Sequence, residues 1–293
     1  MDRKLLKSLL IFITVTLLAV SCEASIKQAP KIVRGAWISA WSDGYFTPEQ
    51  VDKTLKDAKA AHINNLFIQV RKNADSYYKS DIEPRGSGLK EGFDPLAYMI
   101  PRAHKMGIRV HAWINSFRVW TAPTPPTSLI HVVNAHPEWL NKDYSGKVSS
   151  SDGSYLDPGC VEARQHILEV VKDIVTRYPV DGIHLDYIRY PGREWGYSDA
   201  ALQAHKEYSG KTEKPTPDDP DWSQWRRDQV TDLVKNIFTE VKKIRPKAKV
   251  SAALICWGEC PQEFTDSLPY KKALQDWRRW FTEGYLDFAA PMV

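Results

Sequence analysis

A strand-like segment near the middle of the chain, residues 181–191, alternates polar and apolar side chains (DGIHLDYIRYP). A β-strand points successive side chains to opposite faces, so His184 and Asp186 would share one face and Ile183 and Leu185 the other. The segment therefore predicts a strand that is buried on one side and that delivers a carboxylate, Asp186, at its C-terminal end.

Two other apolar segments, 66–71 and 110–115, carry the same alternation. Their inner faces would present Arg71 on the first segment and Asn115 on the second. Strands of an α/β barrel show this pattern, because inward residues near the C-terminal rim form the active site while outward residues pack on helices. We therefore expect Arg71, Asn115 and Asp186 to converge at one end of a parallel barrel.

Strand and helix signals alternate along the chain in the βα order of such a barrel. Strand signals cover 34–39, 63–71, 108–115, 181–186, 249–257 and 287–293. Helix signals cover 47–61, 94–107, 161–178, 222–244 and 270–283, and the segments 116–160 and 192–220 are expected to be loop-rich excursions. Because a complete barrel has eight strands, the pattern predicts an α/β fold, a (β/α)8 TIM barrel truncated after about six βα strands, with an unusual open sheet as the alternative.

The N-terminus has the order of a secretion signal, with basic residues before an apolar run at 9–20. This run is too short for a durable transmembrane helix. The small residues before Cys22 resemble a bacterial lipobox, in which the cysteine is lipidated. We expect a signal peptide with lipobox at 1–22, a tether at 23–31 and a barrel domain at 32–293, with ordinary secretion as the alternative.

Composition and charge exclude several classes of function. The net charge is +4, half of it in the signal segment, and no basic tract with interleaved aromatic residues indicates nucleic-acid binding. Cys256 and Cys260 have no further metal ligands nearby in the sequence, so we expect no metal and no cofactor. A disulfide between these two cysteines is possible. Eleven Trp and thirteen Tyr offer faces for stacking on sugar rings, or fill the core.

Longer segments of the chain resemble glycosyl-hydrolase-like family 10. They are RGAWIS, FIQVRKNADSYYKSDIEP, FDPLAYMIPRAHKMGIRVHAWINSFRV, PEWL, YLDPGCVEARQHILEVVKDIVTRYPVDGIHLDYIRYP and DFAAPMV, within 32–293. The resemblance implies a bacterial, often lipid-anchored barrel protein of the cell envelope that hydrolyses cell-surface polysaccharide, with peptide-free peptidoglycan strands as the implied substrate. In a Gram-negative cell the protein would lie in the outer membrane or face the periplasm. The family's pattern continues beyond DFAAPMV with further strands, and the oligomeric state stays open.

Glycoside hydrolysis requires one carboxyl group as proton donor and a second, ionised one as nucleophile or base. Asp186 is the predicted ionised partner, which Arg71 would keep charged; alternatively Asp186 only braces the rim by pairing with Arg71 or Arg189. Glu259, just past the fifth strand, is the candidate proton donor or a loop brace. Asp157 is the competing acid or a cap of the following helix.

Other predicted substrate-binding residues lie on inward faces or next to Asp186. The full predicted set is Arg71, Trp113, Asn115, Arg118, Asp157, His184, Tyr187, Arg189 and Trp257. The resemblance extends to HAWINSFR, which contains Asn115 and Arg118, and these would contact sugar hydroxyls or orient carboxylates. Trp113 and Trp257 would floor a sugar subsite or fill the barrel, and His184 is expected to be a core histidine more than a ligand.

Two rival functions remain open at this point. The first is a carbohydrate-binding or scaffold lipoprotein without turnover, which a second carboxyl group near Asp186 would argue against. The second is a metal-dependent deacetylase, and the absence of a His/Asp cluster with ligand spacing argues against it.

We predict that Cys22 is lipidated after export. Cells fed a radioactive fatty acid should label the wild-type protein and not the Cys22→Ala variant, because the substitution removes the acceptor thiol. Equal labelling of both proteins would contradict the lipobox interpretation.

Overall fold

The computed structural model describes residues 32–293. The predicted signal peptide, Cys22 and the tether fall outside these described residues. Within 32–293, no helix combines the length and the apolar character needed to cross a bilayer.

The described part of the chain alternates strands and helices as the sequence predicts. The strands are β1 (Gly35–Ile38), β2 (Asn65–Arg71), β3 (Arg109–Asn115), β4 (Arg118–Trp120), β5 (Ser149–Ser150), β6 (Gly153–Tyr155), β7 (Gly182–Asp186), β8 (Lys249–Ile255) and β9 (Phe288–Met292). The α-helices are α1 (Pro48–Ala60), α2 (Pro95–Lys105), α3 (Val132–Ala135), α4 (Val161–Arg177), α5 (Asp199–Ser209), α6 (Pro220–Ile244), α7 (Leu268–Lys271) and α8 (Trp277–Thr282). All six predicted barrel strands are confirmed.

Six strands form one parallel sheet in the order β1-β2-β3-β7-β8-β9. In a flat sheet β2 and β9, four positions apart, would be separated by about 19 Å. The ring centroids of Phe67 on β2 and Phe288 on β9 are nevertheless only 6.2 Å apart. Side chains of the two strands can meet in this way only if the sheet is strongly curled. The α/β fold is therefore a curled half-barrel of the TIM type.

Aromatic rings fill the interior of the curled sheet. The ring of Phe67 stacks on Trp37 at 4.4 Å and on His111 at 4.8 Å, and it meets the edge of His184 at 4.9 Å. A Cβ atom at Gly182 would lie 2.4 Å from Nδ1 of His111, so only glycine fits at this inward position of β7. This packed layer of rings supports the C-terminal rim of the sheet.

The helices α1 and α2 begin where the sequence predicts, and α4 packs through one apolar stripe. The Thr47 side chain accepts a hydrogen bond from the Gln50 N–H, and the Asp94 side chain accepts one from the Ala97 N–H. A proline follows each of these caps at the first helical position, where its missing N–H leaves no bond unmade. The stripe of α4 is spaced at three and four residues: Ala163, Ile167, Val170, Val171, Ile174 and Val175.

Both predicted loop excursions contain more regular structure than expected. In the first, β4, β6 and β5 form a small antiparallel sheet. In the second, α5 begins after the Ser198 cap and ends at Gly210, and it buries only Ala201 and His205, so its apolar periodicity is weak. The single helix predicted at 270–283 is also wrong, since this segment contains the end of α7 and the separate helix α8.

Candidate active site

Asp186 ends β7 at the C-terminal rim of the sheet. Its Oδ1 accepts a hydrogen bond from the Tyr187 backbone N–H at 2.7 Å, and its Oδ2 accepts one from the indole Nε1 of Trp113 at 3.1 Å. Burial raises the pKa of Asp186, while these two N–H groups and the guanidinium groups of Arg189 and Arg118 oppose the shift. The site is therefore centred on a desolvated carboxylate with an N–H donor on each oxygen.

Tyr187 holds a backbone conformation that is unusual for a bulky residue. Its φ angle is +48°, in the left-handed region, and such outliers cluster at functional sites. The Arg118 Nη1 donates a hydrogen bond to the Tyr187 hydroxyl at 2.6 Å, and the Arg118 guanidinium lies 3.7 Å from the centre of the phenol ring. The turn at Tyr187 thus directs the backbone N–H of Tyr187 at Asp186 and places its phenol ring against the guanidinium group of Arg118.

Asp152 faces the same cations from the turn between β5 and β6. Its Oδ1 lies 2.9 Å from Nη1 of Arg118, and its Oδ2 lies 3.9 Å from Nη2 of Arg189. The Tyr155 hydroxyl donates a hydrogen bond to Asp152 Oδ2 at 2.7 Å. Sequence reasoning missed this residue, although an Asp-Gly dipeptide between short β segments is a strong hairpin signal.

Arg71 does not keep Asp186 charged, contrary to the prediction. It is fully buried, and its Nη2 lies 2.8 Å from Oε1 of Glu83. Its Nη1 donates to the carbonyl oxygens of Asn115 and Ser116. The guanidinium group is therefore engaged in an internal network, and the two arginines beside Asp186 take the predicted electrostatic role.

The structure places the side chains of Asn115 and Asp157 below the surface of the rim, because both are fully buried. The Asn115 amide accepts from Gln69 Nε2 at 3.1 Å and donates to the Lys72 carbonyl at 2.7 Å. The Asp157 carboxylate accepts from the N–H two residues further along the chain at 2.9 Å and from the Ser198 N–H at 3.1 Å. Both residues brace the loops behind the rim.

His184 lies one inward position below Asp186 and is a buried core residue. Its Nδ1 is 2.9 Å from the Ser251 hydroxyl, and its side chain is buried. Burial, with a smaller contribution from nearby His111, lowers the pKa of His184 to about 3. The expectation of a core histidine is confirmed.

Glu259 and Trp257 lie on the loop after β8, beside the strand that carries Asp186. They line an open cavity of about 420 Å³, and the Trp257 side chain is 45% exposed. Glu259 is exposed and makes no hydrogen bond or ion pair with any residue in 32–293. The structure thus gathers Trp113, Tyr187, Arg118 and Arg189 around Asp186, while Glu259 and Trp257 remain on the neighbouring loop.

The described cysteines are unpaired, with Cys160 buried and Cys256 and Cys260 exposed. Within residues 32–293, no three His, Cys, Asp or Glu side chains are grouped so that they could hold a metal ion.

A sequence model of the family described as glycosyl hydrolase-like 10 matches residues 32–293. The chain belongs to this family. It is 29% identical over 291 residues to the glycosyl hydrolase YngK of Bacillus subtilis (strain 168), covering 91% of this chain and 54% of YngK. It is 27% identical over 316 residues to the glycosyl hydrolase DigH of Escherichia coli (strain K12), covering 92% of this chain and 67% of DigH. The chain therefore spans about half the length of YngK.

Solved structures with a similar fold are glycosidase barrels. The glycoside hydrolase domain of PgaB (BpsB) from Bordetella bronchiseptica aligns with a TM-score of 0.61 at 16% identity, over 89% of this chain and 74% of that one. A GH42 β-galactosidase from G. stearothermophilus aligns with a TM-score of 0.60 at 15% identity, over 91% of this chain and 40% of that one. At these identities the likeness concerns the fold.

We predict that Glu83→Gln lowers the free energy of unfolding and flattens its dependence on acid pH. Burial opposes ionisation of Glu83, but Arg71 and His166 outweigh it and lower its pKa from 4.5 to about 2. Because folding lowers this pKa, ionised Glu83 adds about 3 kcal/mol to the free energy of unfolding. This contribution is complete above about pH 4.5 and is lost as the pH falls towards about 2. The variant also leaves Arg71 buried without its partner, which costs about 3–5 kcal/mol.

Urea unfolding between about pH 7 and about pH 3 measures this effect. Glu169→Gln is the matched control, because Glu169 pairs with Lys172 on the surface of α4 and its side chain is 43% exposed. Equal losses in the two variants would contradict the role assigned to the buried pair.

Proposed function

We propose that the protein is a glycoside hydrolase that cleaves bacterial cell-surface polysaccharide, with peptidoglycan strands stripped of their stem peptides as the substrate. One observation carries this proposal: Asp186 is a desolvated carboxylate at the rim of a barrel strand, held by two N–H donors and flanked by two guanidinium groups. Membership in the glycosyl hydrolase-like 10 family and the glycosidase folds of the structural neighbours support the class of reaction. The choice of glycan rests on the family resemblance.

Asp186 would act as the ionised member of the carboxyl pair, either as nucleophile or as base. The transition state of glycoside hydrolysis carries positive charge on the sugar, which a nearby carboxylate stabilises. Trp113 and Tyr187 each donate to a different oxygen and so orient the group, and each oxygen keeps a lone pair for the reaction. Burial strengthens the electrostatic effect because little water screens it.

Glu259 is the candidate proton donor. It follows β8, which pairs with β7 in the sheet, so the loops that carry Glu259 and Asp186 are neighbours. Adjacent positions favour the separation of about 5–5.5 Å found in retaining enzymes. Asp152 is less suited to this role, because its carboxylate is already engaged by Arg118 and Arg189.

Glycan binding without turnover is the second candidate function. One observation favours it: Glu259 is exposed and without a bond to the rest of residues 32–293, so no contact holds it beside Asp186. In either case the predicted lipid on Cys22 would anchor the protein in the bacterial cell envelope, with the barrel domain beyond a short tether.

We predict that Asp186→Asn abolishes most glycan cleavage by the full-length protein. The variant keeps the size and the hydrogen bonding of the side chain but removes its charge, so turnover should fall by about a thousandfold or more, roughly 4 kcal/mol. Mass analysis of products from peptide-free peptidoglycan strands measures this loss, and binding should survive. Asp57→Asn, at an exposed position of α1, is the control. Undiminished cleavage by Asp186→Asn would show that another group is the catalytic carboxylate.

We predict that Glu259→Gln impairs cleavage of natural glycans but recovers much of the first step with an activated aryl glycoside. Such a leaving group departs without a proton, so the loss of an acid matters less. Glu263→Gln, an exposed glutamate of the same loop, should cleave both substrates normally. Normal cleavage of natural glycans by Glu259→Gln would remove Glu259 as the donor. If the wild type cleaves no glycan at all, the binding function is favoured.

A further inference from the structure

A second cavity, of about 460 Å³, opens between the loop after β7 and the loop after β8. Its lining includes Arg189 from the first loop, Trp257 from the second and Lys272 at the end of α7. Arg189 also acts electrostatically on Asp186, so the cavity adjoins the candidate active site. We call it the Arg189–Lys272 pocket.

The cationic groups of the pocket differ in how closely they are paired with carboxylates. Arg193 is paired with Asp218 at 2.5 Å and with Glu194, the acidic side chain of the lining, at 3.5 Å. The nearest carboxylate to Arg189 is that of Asp152, at 3.9 Å. Lys272 is exposed, and its ammonium group makes no hydrogen bond or ion pair within the described residues, although its backbone N–H donates to the Leu268 carbonyl at 2.9 Å. The ammonium group of Lys272 is thus unpaired, and Arg189 is held only by a long ion pair with a carboxylate that Arg118 shares.

The wall beside these cations is apolar and aromatic. The Trp257 indole is 45% exposed, and buried Ile255 lies next to it in the lining. An exposed indole face offers a platform for the apolar face of a sugar ring. The planar guanidinium group of Arg189 matches the two oxygens of a carboxylate, and Lys272 adds a point charge.

We propose that the Arg189–Lys272 pocket is a subsite that binds a sugar unit carrying a free carboxylate, next to Asp186. The proposal rests on the proposed function and deepens it. Removal of a stem peptide hydrolyses an amide and leaves a carboxylate on the sugar, so a stripped strand presents this ligand and an intact strand does not. The pocket would therefore select stripped glycan by charge.

Calorimetric titration tests the subsite without relying on turnover. The Asp186→Asn protein is titrated with peptide-free strands and with the same strands after methyl esterification of their carboxylates. We expect binding of the free acid to be about tenfold tighter. Lys272→Gln should reduce this preference about threefold, and Arg189→Gln should abolish it. Lys271→Gln is the matched control, because Lys271 pairs with Asp266 at 2.7 Å and lies outside the pocket.

Equal affinity for the acid and the ester would overturn the proposal, as would an unchanged preference in both Arg189→Gln and Lys272→Gln. Tighter binding of a phosphate-bearing glycan than of the carboxylate strands would overturn the assignment to a carboxylate. Failure of the proposed function has a different signature. Carboxylate-dependent binding without any products from the wild type would support the subsite and reject the hydrolase.

Discussion

The buried ion pair of Arg71 and Glu83 is the interaction on which the geometry of the rim depends. Arg71 binds the Ser116 carbonyl at 2.8 Å, and the Ser116 N–H donates to the backbone carbonyl of Asp186 at 2.7 Å. Glu83 in turn lies 2.8 Å from His166 on α4. Because a buried pair stabilises only when all its groups are satisfied, these bonds join β2, β3, β7 and α4 into one unit. A charge pair remote from solvent is thus linked through the Ser116 backbone to the position of Asp186.

The fold could be predicted from local patterns because the barrel strands and helices obey them closely. The six parallel strands combine apolar runs with a period of two, and α1 and α2 begin with a capping side chain followed by proline. The elements that escaped prediction have little apolar surface of their own. β5 is two residues long and α5 buries two side chains, so tertiary contacts, and not periodicity, stabilise them.

The site was harder to predict from the sequence. The alternation of polar and apolar residues shows on which face of a strand a side chain lies, but it does not show how deeply the side chain is buried or which residue it contacts. Asn115 points inward as expected, yet it lies below the surface, where its amide satisfies other buried groups. The pairing of β2 with β3 shifts register between Gln69 and Arg71. Arg71 then pairs with Glu83, which lies on a loop twelve residues further along the chain. Asp152 reaches the site from an excursion that sequence reasoning left without structure. Residues adjacent in the sequence, such as Asp186 and Tyr187, were easier to place.

The turn of the hairpin that carries Asp152 can vary independently of the barrel. It belongs to the small antiparallel sheet, and although Tyr155 packs in the hydrophobic core, the exposed turn residues Ser151 and Asp152 belong neither to the parallel strands nor to that core. Insertions or exchanges in this turn can therefore change the charge beside Asp186 while the barrel keeps its register and its core. Chains that share this scaffold can in this way differ in the charge beside Asp186, through changes in a segment whose alteration costs the fold little.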